Sequence, residues 1–140
     1  MKLFLYVTTI FTITFFKNVL SSYNQPDLSV EFLCIGEVDM DLEELNKYVN
    51  SYNTPEDHVE MGKFLVCLWE GKHVMDKDGN IDSGKLKAFL QAHFEKINPE
   101  EVNNISPDTV TEKCHGVQTN IKTQTAIRLN NCIVKTVKVP

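Results

Sequence analysis

From Leu28 onward, apolar residues recur three and four positions apart, and nowhere do they alternate with polar ones for long enough to predict a sheet. The pattern predicts an all-α fold of six helices. The first covers about Leu28 to Gly36 and the second about Leu42 to Val49, where Asp41 can cap and Glu44 stands at the capping-box distance. A third is predicted from a cap at Thr54, with Pro55 at the first helical position and Asp57 three residues past the cap, and it runs to about Gly71. The fourth begins near Asp82. Leu86, Phe89, Leu90, His93, Phe94 and Ile97 trace a single face of it, the strongest amphipathic pattern in the chain. Asn98 and Pro99 end it, because proline disfavours a helical conformation in the residue before it. Ser106 and Pro107 open a fifth helix carrying Val110, Cys114, Val117 and Ile121 on one face. Ala126, Leu129, Ile133 and Val137 line a sixth, with the break at Thr123 and Gln124.

Ahead of these helices lies an apolar stretch of 14 residues, Leu3 to Phe16, preceded by Lys2 and followed by the small residues Ser21 and Ser22. This is the pattern of a signal peptide over residues 1–21, cleaved after Ser21. It is shorter than the roughly 20 apolar residues that span a bilayer, which argues against a stable membrane insertion. Residues 22–140 contain no repeat or long linker and read as one helical domain. Cleavage removes Lys2 and Lys17, leaving 12 basic against 19 acidic side chains and a net charge of −7. A small acidic domain without clustered Lys and Arg excludes nucleic acid and anionic membranes as natural partners. It leaves neutral or apolar ones.

Secretion also decides how the four cysteines read. An even number of well-separated thiols in an oxidising compartment predicts two disulfides, for which three pairings are open. A zinc site would bring its ligands in close pairs, whereas the nearest two cysteines, Cys114 and Cys132, are 18 positions apart. Asp76, Asp78, Gly79 and Asn80 resemble the start of a calcium-binding loop, but the sixth position that needs glycine is Ile81 and the twelfth that needs glutamate is Lys87. An Asp-Gly turn leading into a cap at Asp82 explains the same residues. His58, His73, His93 and His115 share no metal-ligand spacing, and no nucleophile motif is present, so neither metal, cofactor nor enzymatic activity is expected. Asn104, Ile105 and Ser106 form a glycosylation sequon, but Pro107 follows at once and Ser106 is better explained as a helix cap, so heavy occupancy is not expected.

The run from Phe64 to Gly71, the following Val74 to Ile81, and the helix of Leu86 to Phe94 together resemble the insect odorant-binding protein family, of the pheromone and general odorant-binding type. That family looks like six helices with six cysteines, paired first to third, second to fifth and fourth to sixth. Cys34, Cys67, Cys114 and Cys132 match the first, third, fourth and sixth, while Lys63 and Thr123 stand where the second and fifth would be. Both halves of one bridge are missing together, so the chain resembles the four-cysteine minus-C branch. The 46 residues between Cys67 and Cys114 make that interval longer than usual. Chemosensory proteins also have four cysteines, but theirs lie in close pairs.

The resemblance implies disulfides joining Cys34 to Cys67 and Cys114 to Cys132, in a compact bundle of about six helices around an apolar cavity. It further implies a secreted, extracellular carrier that binds and solubilises small hydrophobic molecules such as odorants or pheromones, with a membrane chemoreceptor as the downstream partner in olfaction. A salivary carrier of lipids or amines on the same fold is the alternative, ahead of a small secreted enzyme. Candidate wall residues are Phe64, Leu68, Leu86, Phe89, Leu90, Phe94, Val117, Ile121, Ile127 and Ile133, with His93 and Trp69 as polar handles. The same side chains would serve as plain core in a bundle without a cavity. A closed apolar cavity of roughly 300 Å³ or more distinguishes the carrier from the other classes. Removing some 300 Å² of ligand surface from water is worth on the order of 7 kcal/mol before association costs.

Overall fold

The computed structural model describes residues 28–97 and 99–138, so the expected signal peptide over residues 1–21 and the helix stop at Asn98 lie outside the described residues. Six α-helices are formed among the described residues: α1 (Leu28–Gly36), α2 (Leu42–Val49), α3 (Val59–Gly71), α4 (Ser83–Phe94), α5 (Pro107–Cys114) and α6 (Lys122–Lys138), with a 3-10 turn at Pro99–Val102 before α5. Three of the starts follow from side chains that satisfy the free backbone N–H groups of a first turn. Asp41 accepts from the Glu44 N–H at 2.8 Å, Asp82 from Lys85 at 2.9 Å, and Ser106 from Thr109 at 3.2 Å ahead of Pro107.

The start of α3 differs from the pattern in the chain. Its cap is His58, whose Nδ1 accepts from the Met61 N–H at 3.3 Å, so the helix opens four residues later than a Thr54 cap predicts. Thr54 is committed elsewhere: its hydroxyl donates to the Tyr48 carbonyl, and Asn131 of α6 accepts from its N–H and donates to its carbonyl. Two further ends move. The regular turns of α4 stop at Phe94, and Ile97 follows in a tighter turn whose N–H donates back to Phe94. Helix α5 stops at Cys114, so Val117 and Ile121 are not on it. Gly116 follows the end, and the next residues are drawn towards the Asp-Gly loop by Gln118, which donates to Asn80 Oδ1 at 2.7 Å and accepts from the Ile81 N–H. Thr123 and Gln124 then lie inside the first turn of α6 rather than between helices.

Helices α3 and α6 form the most extensive pairing and carry the core between them, with α1 against α3, α4 against α5, and α5 against α6. Met61, Phe64, Leu65, Leu68 and Trp69 of α3 are buried, as are Ala126, Ile127 and Leu129 of α6. The two backbones approach closely where Gly62 faces Thr123. A β-carbon at position 62 would stand 2.9 Å from that of Thr123. Disulfides Cys34–Cys67 and Cys114–Cys132, each with Cα atoms 5.6 Å apart, fix α1 to α3 and α5 to α6. This is the pairing that the resemblance implies.

Candidate functional site

One face of α6 sets the length of the site. Asn130, Ile133, Val134, Val137 and Lys138 recur at i, i+3, i+4, i+7 and i+8 and line one wall of a cavity of about 220 Å³. Phe89, Leu90, His93 and Phe94 of α4, continued by Ile97, form the facing wall. Trp69 of α3 lies at one end of this set. Asn50, at the end of α2, and Glu101 and Val102 of the 3-10 turn complete the lining. Glu101 and Lys138 are the exposed residues of this lining.

The aromatic end is rigidly built. The Trp69 indole N–H donates to the Ala126 carbonyl at 3.2 Å, so Trp69 brings the cavity no free donor. Phe89 meets that ring edge-on at 5.4 Å, and His93 stacks on Phe89 with centroids 5.9 Å apart. Burial, with Lys96 and Lys72 adding repulsion, pushes the His93 imidazolium down to a pKa of about 4. His93 is therefore neutral at physiological pH.

Polar groups enter at the other end. Lys138 Nζ donates to the carbonyl and to Oδ1 of Asn50, both at 3.3 Å, and burial lowers its pKa. Asn103 Nδ2 donates to the Val137 carbonyl at 2.7 Å, which fastens the chain after the 3-10 turn to the end of α6. Asn130, only 2% exposed, ties α6 to α2 by donating to the Val49 carbonyl at 3.0 Å.

Of the residues expected from the sequence, Trp69, Phe89, Leu90, His93, Phe94 and Ile133 come together on this cavity. Phe64, Leu68, Leu86 and Ile127 do not line it and are fully buried in the core around α3 and α6. Val117 is half-buried against that core and Ile121 is exposed, because the loop after Cys114 replaces the helical turns that would have turned them inward. The volume is also below the 300 Å³ expected of a carrier. Asn50, Ile97, Glu101, Val102, Asn130, Val134, Val137 and Lys138 line the cavity without being among the expected wall residues, although Ile97 and Val137 stand on apolar faces read from the sequence. Val134 and Val137 share the helical face of Ile133 and were legible from it. The polar ones carried no sequence signal.

The Asp76 loop is an internally bonded turn. Oδ1 of Asp76 accepts from the N–H groups of Asp78 and Asn80, Oδ2 accepts from Asn80 Nδ2, and Gly79 takes a φ of +87°. Those bonds to Asn80 and the neighbouring amides hold the Asp76 carboxyl below its usual pKa. Lys122 closes the loop from α6, donating to the Lys77 carbonyl and pairing with Glu70. Among the described residues no cluster of His, Cys, Asp and Glu could hold a metal ion, and no helix is long and apolar enough to cross a membrane.

Comparison with known proteins gives one family. The chain matches the PBP/GOBP family over residues 28–136. No curated protein and no solved structure gives a significant match. With the family match running from the start of α1 into the last turn of α6 and the two disulfides fitting its four-cysteine branch, the chain belongs to the PBP/GOBP family, the insect odorant-binding family.

Proposed function

We propose that this protein is a secreted carrier that takes up one small hydrophobic molecule in the cavity between α4 and α6 and solubilises it in extracellular fluid. The carrying observation is the cavity itself, walled by Trp69, Phe89, Leu90, Phe94, Ile133, Val134 and Val137 in a chain of a ligand-binding family. Such a wall binds by removing apolar surface from water, a force that needs no directional partner. Size follows from volume. A 150 Å³ apolar cavity accepts benzene, so 220 Å³ suits a ligand of about nine heavy atoms. The family is one of binding proteins.

The role is tested by titrating the mature chain with the fluorescent apolar probe N-phenyl-1-naphthylamine and displacing it with small volatiles, lipids and amines. Micromolar probe binding, competed by compounds of this size, supports the carrier. Leu90→Trp, which fills the cavity from α4, should then weaken binding at least tenfold while leaving helicity intact. A probe that does not bind, or binds equally well to the filled variant, places the function elsewhere.

A further inference from the structure

The polar end of the cavity holds a fixed cation. Lys138 Nζ donates to the carbonyl and to Oδ1 of Asn50, both at 3.3 Å, and both residues line the cavity. An ammonium carries three N–H donors, of which Asn50 accounts for two, and among the described residues no carboxylate pairs with it. Burial has removed part of its water, which lowers its pKa, and no anion of the described chain offsets that cost. Glu101, the other exposed residue of the lining, is in a different position. Its carboxylate makes no hydrogen bond or ion pair among the described residues, so it keeps its water and is not held.

We propose that Lys138 is the head-group site of the cavity and that the preferred ligands are monocarboxylates of about nine heavy atoms, with the carboxylate on the ammonium and the alkyl chain along Val137, Val134 and Ile133. This names the ligand class of the carrier reading and rests on it. Val134 stands one turn before Lys138 and Asn130 two, so a head at Lys138 lays its chain on the cavity face of α6 towards Trp69. A neutral alcohol or ketone fills the same strip but gives Lys138 only an uncharged acceptor, the weaker partner. An ammonium is repelled by Lys138 and would find only the unheld Glu101 to pair with. A carboxylate turned the other way, towards Trp69, would lose its water beside a neutral His93. At Lys138, an exposed residue, the head keeps part of its hydration.

Displacement of N-phenyl-1-naphthylamine from the mature chain at pH 7 by heptanoate, 1-heptanol and heptylamine isolates the head group at one chain length. The quantity read is the affinity of heptanoate relative to that of 1-heptanol. Lys138→Met keeps an apolar stem and should lower this ratio about fivefold at an unchanged affinity for 1-heptanol, whereas Lys138→Arg keeps the charge and should hold the ratio near its wild-type value. Raising the salt from about 20 to about 500 mM should weaken heptanoate severalfold on wild type and leave 1-heptanol as it was. If Lys138→Met does not fold, the salt series decides alone. A folded Lys138→Met with the wild-type ratio, a heptanoate affinity indifferent to salt, or heptylamine binding more tightly than heptanoate overturns the assignment and leaves the carrier standing. Failure of the probe to bind wild type at all removes both.

Discussion

Trp69 and Ala126 join the two central helices through a buried polar contact, the indole N–H of α3 donating to a carbonyl of α6 at 3.2 Å, 57 positions away in the chain. Both residues are fully buried, so the bond is shielded from water and the ring is held at the end of the cavity. Trp69→Phe removes the donor and part of the ring area but leaves an aromatic wall. It should lower the unfolding free energy by about 1 to 3 kcal/mol, read as a shift of the urea midpoint at unchanged slope.

The contact between α1 and α3 is closed by a residue with no side chain. A β-carbon on Gly71 would come within 2.4 Å of Val30 Cγ1, and Val30 is β-branched and stiff. Gly71→Ala should therefore destabilise by about 1 to 3 kcal/mol through overpacking. With Val30→Ala as background the nearest remaining atom is Val30 Cβ at 3.5 Å, an ordinary contact. There the same change should be neutral or should stabilise by up to about 1 kcal/mol from helix propensity. A four-member thermal or urea cycle reads this coupling directly.

A third disulfide should form between α3 and α6. Thr123 packs on Gly62, next to Lys63, where the six-cysteine relatives would carry their second bridge. The tether would join α3 to α6, in whose first turn Thr123 lies. Lys63→Cys with Thr123→Cys should lose both free thiols on oxidation, detected by mass, and raise stability by up to about 4 kcal/mol from the closed loop. Two persistent thiols in a folded variant would show that these side chains do not meet.

His93 predicts a pH dependence of stability. Its pKa is about 4 in the fold against 6.5 unfolded, so between those values the unfolded chain binds the extra proton. The stabilisation is complete above about pH 6.5 and is lost as the pH falls towards 4. Carboxylates such as Glu60, whose pKa is lowered by its bonds to the Asp39 N–H and Lys63, push the same way, so the effect must be isolated. In His93→Gln the stability lost between pH 7 and pH 4 should shrink by up to about 3 kcal/mol. An imidazole NMR titration of wild type should show no midpoint near 6.5 for this residue.

Much of the fold was legible because its signals are local. Asp41, Asp82 and the Ser106-Pro107 pair each mark a helix start through bonds to their own next turn, and periodicity within one helix needs no partner to be seen. The cysteine pattern added the one long-range statement a sequence can carry, through resemblance to a family with a known pairing. His58 escaped notice as a cap because histidine is not among the usual cap residues. Thr54 misled because its hydroxyl and backbone are held by Tyr48 and by Asn131, 77 positions on.

By its own order of residues, then, the chain determined an all-α disulfide-linked carrier fold and an apolar face on each helix. Tertiary structure alone decided what those faces do. Phe64 and Phe89 are equally apolar and each sits on a helical face, yet one is sealed in the core and the other walls the cavity. The difference lies in how far apart α4 and α6 are held by their neighbours, which no periodicity encodes. For the same reason Asn130 was invisible as a site residue. Asn130 reaches the cavity wall only because α6 meets the end of α2, where its amide donates to the Val49 carbonyl.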